Sequence, residues 1–251
     1  MKTIKLAILI SLLAFTSKAQ EIFFNPSGAD GQIIEYDQFT LSYNEQHEQP
    51  NWVAYVLEES EIYLQSRKRP YRFEEDPNVK TESAVHDDYT NTGFDRGHLS
   101  RAMYNKISEE AYLESFFMSN VSPQHGVNFN RTGGDWYNLE ELEISFSKSL
   151  NKLYCVTGPI FKDNLGTIGK TTTVTVPGYF YKVFLSPDQS KAIAFVVRHD
   201  QEDIETLWDA AVTVDSLEEI TGIDFWPFLQ DQKENNLEKE LDLQYWKKHS
   251  N

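Results

Sequence analysis

One cysteine in 251 residues, Cys155, excludes an internal disulfide. Stability must therefore come from packing, to which the 14% aromatic content contributes heavily. The setting Leu153-Tyr-Cys-Val156 reads as a buried strand thiol rather than a nucleophile. The chain has no internal repeat and no Pro/Gly-rich linker that would divide it. It also lacks a membrane-length apolar run, which needs about 20 residues. Its longest, Leu6 to Phe15, follows Lys2 and Lys5 and precedes Ser17-Lys-Ala19, small residues suited to cleavage before Gln20. That pattern predicts a secretory signal peptide over 1–19 and a secreted or periplasmic protein. A single domain over 20–251 is expected, with its core at about 35–230 and a charged tail over 231–251.

Positive charge is scarce as well. The formal net charge is −16, and loss of Lys2, Lys5 and Lys18 with the leader leaves −19. Proteins that grip polyanions usually carry a basic footprint. The cations here are instead concentrated: Arg67-Lys-Arg69 and Arg72, then Arg96, Arg101, Lys106 and Arg131. Either they line a positive cleft in an acidic body, or 67–72 is a solvated loop. Net charge itself speaks to solubility rather than fold.

Trp52-Val-Ala-Tyr-Val-Leu57, Leu153–Thr157, Thr172–Val176, Phe180–Leu185 and Ala192–Arg198 are rich in β-branched and aromatic residues and predict strands. Residues 66–93 are polar and turn-rich. Ser108 before Glu109-Glu110 predicts a capped short helix to about Phe117. Asp135 can cap a second helix, along which Trp136, Leu139, Leu142, Phe146 and Leu150 recur every three or four residues. Ser216-Leu-Glu-Glu219 has the form of a capping box, opening a helix that Gly222 closes. Beyond Asp231 a peripheral helix and frayed end are expected. Strands mixed with a few helices, without a βαβ rhythm, give an α+β class with a mostly antiparallel central sheet flanked by helices.

The chemistry concentrates in Thr92-Gly-Phe-Asp-Arg-Gly-His98-Leu-Ser100, Ser119-Asn-Val-Ser-Pro-Gln124, Phe129-Asn-Arg131 and Trp136-Tyr-Asn-Leu-Glu140. These segments show no Ser-His-Asp order and no Cys/His metal spacing. They hold an imidazole, arginines, amides and an acid within some fifty residues. A neutral His accepts a proton from water. Amides and acids hold a hard cation such as Mg²⁺, and Arg offers a planar fork to phosphate. The set suits phosphodiester hydrolysis. The other histidines, His47, His86, His125, His199 and His249, are read as hydrogen-bonded core or surface residues.

The order of these motifs resembles the DNA/RNA non-specific endonucleases with a ββα-metal site, the family of the Serratia-type nucleases and mitochondrial endonuclease G. Tyr71-Arg72-Phe73, Val156-Thr-Gly-Pro-Ile-Phe161, Val176-Pro-Gly-Tyr-Phe-Tyr-Lys182 and Ile220-Thr-Gly-Ile-Asp-Phe225 extend the likeness over about residues 35 to 230. The resemblance implies His98 as general base and Asn130 as metal ligand. Arg96 and Arg72 would contact phosphate or developing charge, with a surface salt bridge of Arg72 to Glu74 or Asp76 as the alternative. Glu140 would accept from metal-bound water, and Asp95, Gly97, Asn120 and Gln124 would support the site. Gly97 is expected to let the backbone turn beside the phosphate. Arg131 would bind substrate, and so would Arg101, although it departs from the family by standing in Leu-Ser-Arg-Ala where a Pro is common. The cofactor implied is Mg²⁺, with Mn²⁺ as substitute. DNA and RNA are the implied substrates, cut to leave 5′-phosphates, and no membrane partner is implied.

The chain departs from the family in spacing. Asn130 lies six residues after Gln124, and Trp136 six after Asn130, so Asn128 competes as ligand. Alternatives to an endonuclease are a small-nucleotide phosphodiesterase and a non-catalytic nucleic-acid-binding module.

Overall fold

Alternation along the strands decides which helices cover which side of the sheet. The computed structural model describes residues 25–199 and 204–250; the expected leader lies outside them. Among these are eleven strands: β1 (Gln32–Glu35), β2 (Phe39–Asn44), β3 (Gln49–Glu58), β4 (Phe94–His98), β5 (Val121–His125), β6 (Lys152–Ile160), β7 (Thr167–Ile168), β8 (Val174–Thr175), β9 (Tyr179–Leu185), β10 (Ala192–Arg198) and β11 (Ala211–Val212). The helices are α1 (Glu59–Ile62), α2 (Glu109–Glu114), α3 (Asp135–Leu150), α4 (Val214–Thr221), α5 (Asp231–Lys239) and α6 (Leu243–Lys248). Seven strands form one antiparallel sheet in the order β1-β2-β3-β6-β9-β10-β11, while β4-β5 and β7-β8 are separate ribbons. The protein is α+β, with helices on both faces of the sheet.

On β3, Val53, Tyr55 and Leu57 face one way and join Trp136, Leu139 and Phe146 of α3 in a core that includes Cys155. Trp52 and Ala54 face the other way and pack with Val214 and Leu217 of α4 and with Phe225 and Trp226. A third cluster, Phe73, Tyr89, Tyr112, Phe116, Met118 and Val121, lies beside the β4-β5 ribbon. Burying one large apolar side chain in such a core contributes about 1.5–3 kcal/mol. Burial also pushes the Cys155 thiol well above its ordinary pKa, which keeps it inert.

Several local expectations change. Ser108 does cap α2, accepting from the Ala111 N–H at 2.8 Å, but the helix ends at Glu114. Gly134, not Asp135, is the N-cap of α3. Thr213 caps α4 by accepting from the Ser216 N–H, so Ser216 sits inside the first turn, while Gly222 closes the helix at φ 71° as expected. The 172–176 strand shrinks to Val174–Thr175 because the N–H groups of Lys170, Thr171 and Thr172 donate to Asp88 Oδ1 instead of to a ladder. The tail is no frayed end. Trp246 of α6 is fully buried against Phe146, with ring centroids 4.8 Å apart, and donates to the Ala192 carbonyl.

Candidate active site

The two faces of the β4-β5 ribbon do different work. Asp95 pairs with Gln124 and Gly97 with Ser122, on the face where the Ser122 hydroxyl donates to Gln49 Oε1 of β3 at 2.5 Å. Arg96 and His98 share the opposite face. Gly97 makes no turn here. It lies in the strand, where a Cβ would stand 1.9 Å from Gln124 Oε1, so the missing side chain makes room for the buried glutamine. Asn120 is fully buried and fully bonded: its amide donates to the carbonyls of Ser100 and Ser115 and accepts from the Ser100 N–H. It staples the exit of β4 to the entry of β5.

His98, at the end of β4, sits between Phe73 and Phe116, each ring centroid 5.0 Å away. Its Nε2 is buried without a hydrogen-bond partner. Burial, reinforced by the Arg69 and Arg101 cations, pushes the imidazole down to about 3. The ring is therefore neutral at neutral pH and able to accept a proton.

Beyond β5 the chain makes a wide turn, Gly126–Asn130, closed by the Arg131 N–H on the Gly126 carbonyl at 2.9 Å. Phe129 anchors this turn against Trp136, Phe180 and His199. His199 accepts the His125 N–H through Nε2 at 2.8 Å and donates through Nδ1 to the Pro177 carbonyl. The turn brings Asn130 and Arg131 back onto β4. Asn130 Nδ2 donates to Asp95 Oδ2 at 3.2 Å, and Arg131 donates to both Asp95 oxygens at 2.9 and 2.7 Å. Burial works to raise the Asp95 pKa, but the hydrogen bonds from Arg131 and Asn130 outweigh it and hold the carboxylate below its usual range. Asn130 thus has its amide nitrogen fixed, leaving Oδ1 as the atom a cation can use. Asn128 is exposed and in the left-handed region at φ 64°.

At the other end, Arg101 lies under α3. Its Nε is 3.3 Å from Glu140 Oε2, its Nη1 is 2.9 Å from Glu141 Oε1, and its guanidinium covers the Tyr137 ring. Burial pushes the Glu140 carboxyl up to about 7 against the pull of Arg101 and Lys182. Behind it, Lys182 of β9 and Glu143 form a fully buried ion pair at 2.8 Å. Tyr55 accepts from Lys182, Tyr104 donates toward Glu143, and the ammonium sits over Trp136. This pair was not anticipated. The only sequence signal is the three-residue spacing of Glu140 and Glu143, which puts both on one side of α3.

The remaining arginines are engaged. Arg96 donates to the His86 carbonyl at 2.6 Å and to Thr90 at 2.8 Å, and its guanidinium covers Tyr89. Arg72 is exposed and pairs with Asp87 at 3.1 Å, not with Glu74 or Asp76. Arg69, one of the cations whose clustering suggested a positive cleft, lies over Phe73 and Phe116, the two rings that flank His98.

The family model for DNA/RNA non-specific endonucleases matches residues 18–232. "Nuclease EXOG, mitochondrial" of Danio rerio is 32% identical over 227 residues, 84% of this chain and 65% of that protein. "Nuclease C1" of Cunninghamella echinulata var. echinulata is 30% identical over 218 residues, covering 81% and 86%. The chain spans less than two thirds of the zebrafish protein and of its mouse counterpart. In fold, it matches a chain from the "Crystal structure of the EndoG/EndoGI complex: Mechanism of EndoG inhibition" at a TM-score of 0.77 and 24% identity, over 88% and 96%. The expected secreted or periplasmic location is corrected by these relatives: the zebrafish, mouse, human and Saccharomyces cerevisiae proteins are mitochondrial by name. The apolar N-terminus therefore does not establish export. On the match across most of its length, the chain belongs to the DNA/RNA non-specific endonuclease family.

Proposed function

We propose that residues 20–251 form one nuclease domain that hydrolyses phosphodiester bonds of DNA and RNA, with His98 as general base. The observation that carries this reading is the state of His98: neutral, with an unpartnered buried Nε2 beneath the Arg69 and Arg101 charges. A base that is unprotonated at working pH takes the proton of a water as it attacks phosphorus. The cations clustered around it favour negative charge arriving there.

The donor set fits a hard divalent cation. Asn130 would hold it through Oδ1, since Nδ2 is committed to Asp95, and Glu140 would accept from its water shell. When bound, Mg²⁺, or Mn²⁺ in its place, supplies charge that stabilises the phosphorane and the departing 3′ oxygen, leaving a 5′-phosphate. Asp95 orients Asn130 and Arg131, and Arg101 holds Glu140. Arg72 and Arg131, both exposed, are the arginines most able to exchange a carboxylate for substrate phosphate.

A second reading, a phosphodiesterase for small nucleotides, is favoured by the net charge of −16 and the carboxylate partners of Arg72, Arg101 and Arg131. Plasmid DNA, RNA and a chromogenic mononucleotide diester, each assayed with Mg²⁺ and with EDTA, separate the readings. Mg²⁺-dependent cleavage of both polymers is expected. Cleavage of the small diester alone would select the second reading, and binding without cleavage would make the chain a non-catalytic module.

A further inference from the structure

A second concentration of ionisable side chains lies on the face of the sheet opposite α3. Asp215 and Glu218 of α4, Asp224 in the turn that follows, and Glu234 and Glu238 of α5 converge there. One carboxylate oxygen from each of Asp215, Glu218 and Glu238 lies within 4.8 Å of the others, and so it is for Asp224, Glu234 and Glu238. Spacings of three and four residues put each helical pair on one side of its helix. Leu217 and Leu237, from the same two helices, are buried in the same core and fix the helices against the sheet.

Proximity of acids alone signifies little. What distinguishes this group is Glu238: the residue is 5% exposed, and its Oε1 is buried with no hydrogen-bond partner. Glu234 Oε1 is likewise buried and unpartnered. Glu218 accepts only the Phe225 N–H, and Asp224 accepts the Ser27 hydroxyl, neither of which brings charge. Among the described residues no Lys, Arg or His pairs with any of the five, and the nearby Lys233 and Lys239 reach instead to Gln189 and Asn235. A carboxylate oxygen shut away from water without partner or counter-charge is strongly disfavoured. Five carboxyl groups on two helices and a turn, which take on negative charge as an ion displaces their protons, supply all-oxygen donors that match the wide, flexible coordination of calcium. Magnesium demands six short, near-octahedral bonds and gives up its water reluctantly.

We propose that Asp215, Glu218, Asp224, Glu234 and Glu238 form a binding site for a calcium-class divalent cation, separate from the site at Asn130. It shares Glu238 between its two halves and ties α5 to α4 and the sheet.

The test is thermal unfolding of the full chain, stripped with EDTA and then titrated with Ca²⁺ or Mg²⁺, for wild type, Glu238→Gln, Asp215→Asn and Asn130→Ala. Saturating Ca²⁺ should raise the wild-type Tm by about 5 °C or more, and Mg²⁺ less. Asn130→Ala should respond as wild type does. Glu238→Gln and Asp215→Asn should lose most of the Ca²⁺ response, and Glu238→Gln should be the more stable protein in EDTA. Asp215→Asn removes an outer ligand on a half-buried residue, so it answers the question if Glu238→Gln folds poorly. A wild-type Tm indifferent to Ca²⁺, equal responses to the two ions, or variants that respond like wild type would overturn the proposal.

Discussion

At the scale of single residues, the contrast between Asn130 and Asn128 is the most decidable. Asn130 is half-buried and oriented by Asp95, whereas Asn128 is exposed at the tip of the turn with a left-handed backbone. Asn130→Ala should therefore raise the Mg²⁺ concentration needed for half-maximal activity about tenfold or more, on the scale by which metal sites lose affinity when their shell is cut. Asn128→Ala should leave it nearly unchanged, and the reverse ranking in a metal titration would move the ligand to Asn128. His98 makes a second prediction through linkage. Its folded pKa lies at about 3, below the ordinary 6.5, so its contribution to stability is fully present above pH 6.5. It is lost as pH falls toward 3, because the unfolded chain takes up the proton first. The ring is half-buried rather than sealed, so between pH 7 and 4.5 wild type should lose on the order of 1–2 kcal/mol more than His98→Gln. Denaturant midpoints at the two pH values measure this, and parallel losses would contradict it. Candidate site residues could be named from the sequence because Asp95-Arg-Gly-His98 and Phe129-Asn-Arg131 are contiguous motifs. Lys182 was not legible as a site residue, because its partner Glu143 lies 39 positions away and only the sheet brings the two together.

At the scale of elements, the turn between β5 and α3 accommodates the altered spacing. Gly133 takes φ 90°, and Gly134 passes so close to Phe129 that a Cβ would stand 2.3 Å from its backbone nitrogen and 2.4 Å from its carbonyl oxygen. Backbone cannot step aside as a flexible side chain can. Gly134→Ala should thus cost about 1–3 kcal/mol and raise the Mg²⁺ requirement, since the shifted turn carries Asn130. Chemical denaturation together with a metal titration reads both effects. A variant as stable and as easily activated as wild type would mean that the turn does not set the ligand. The strands over 52–57, 180–185 and 192–198 were legible because β-branched and aromatic residues dominate them. The 172–176 strand and the start of α4 were not, because Asp88 and Thr213 redirect the local hydrogen bonds from positions that no periodicity marks. The docking of Trp246 was hidden for the same reason: one large aromatic in a charged tail carries no pattern.

At the scale of the whole molecule, an acidic body carries a local group of cations around His98. Each phosphate neutralised contributes a slope of about −0.9 in log binding constant against log salt. Arg72, Arg101 and Arg131 are each held by a carboxylate, so the slope should be shallow, and screening of the surrounding acid should offset it at low salt. Initial rates on long DNA at fixed Mg²⁺, from roughly 10 to 500 mM salt, should pass through an optimum above the lowest salt. A steep monotonic decline would indicate a broad basic footprint that the distribution of charge does not contain. The central claim, however, rests on His98 and is tested most directly by the initial rate of plasmid cleavage by His98→Ala at saturating Mg²⁺. Its folding and DNA affinity should be measured in parallel. Removal of a general base predicts a fall of about 10²–10⁴-fold with both of those properties retained, whereas a rate within a few-fold of wild type would show that another group takes the proton.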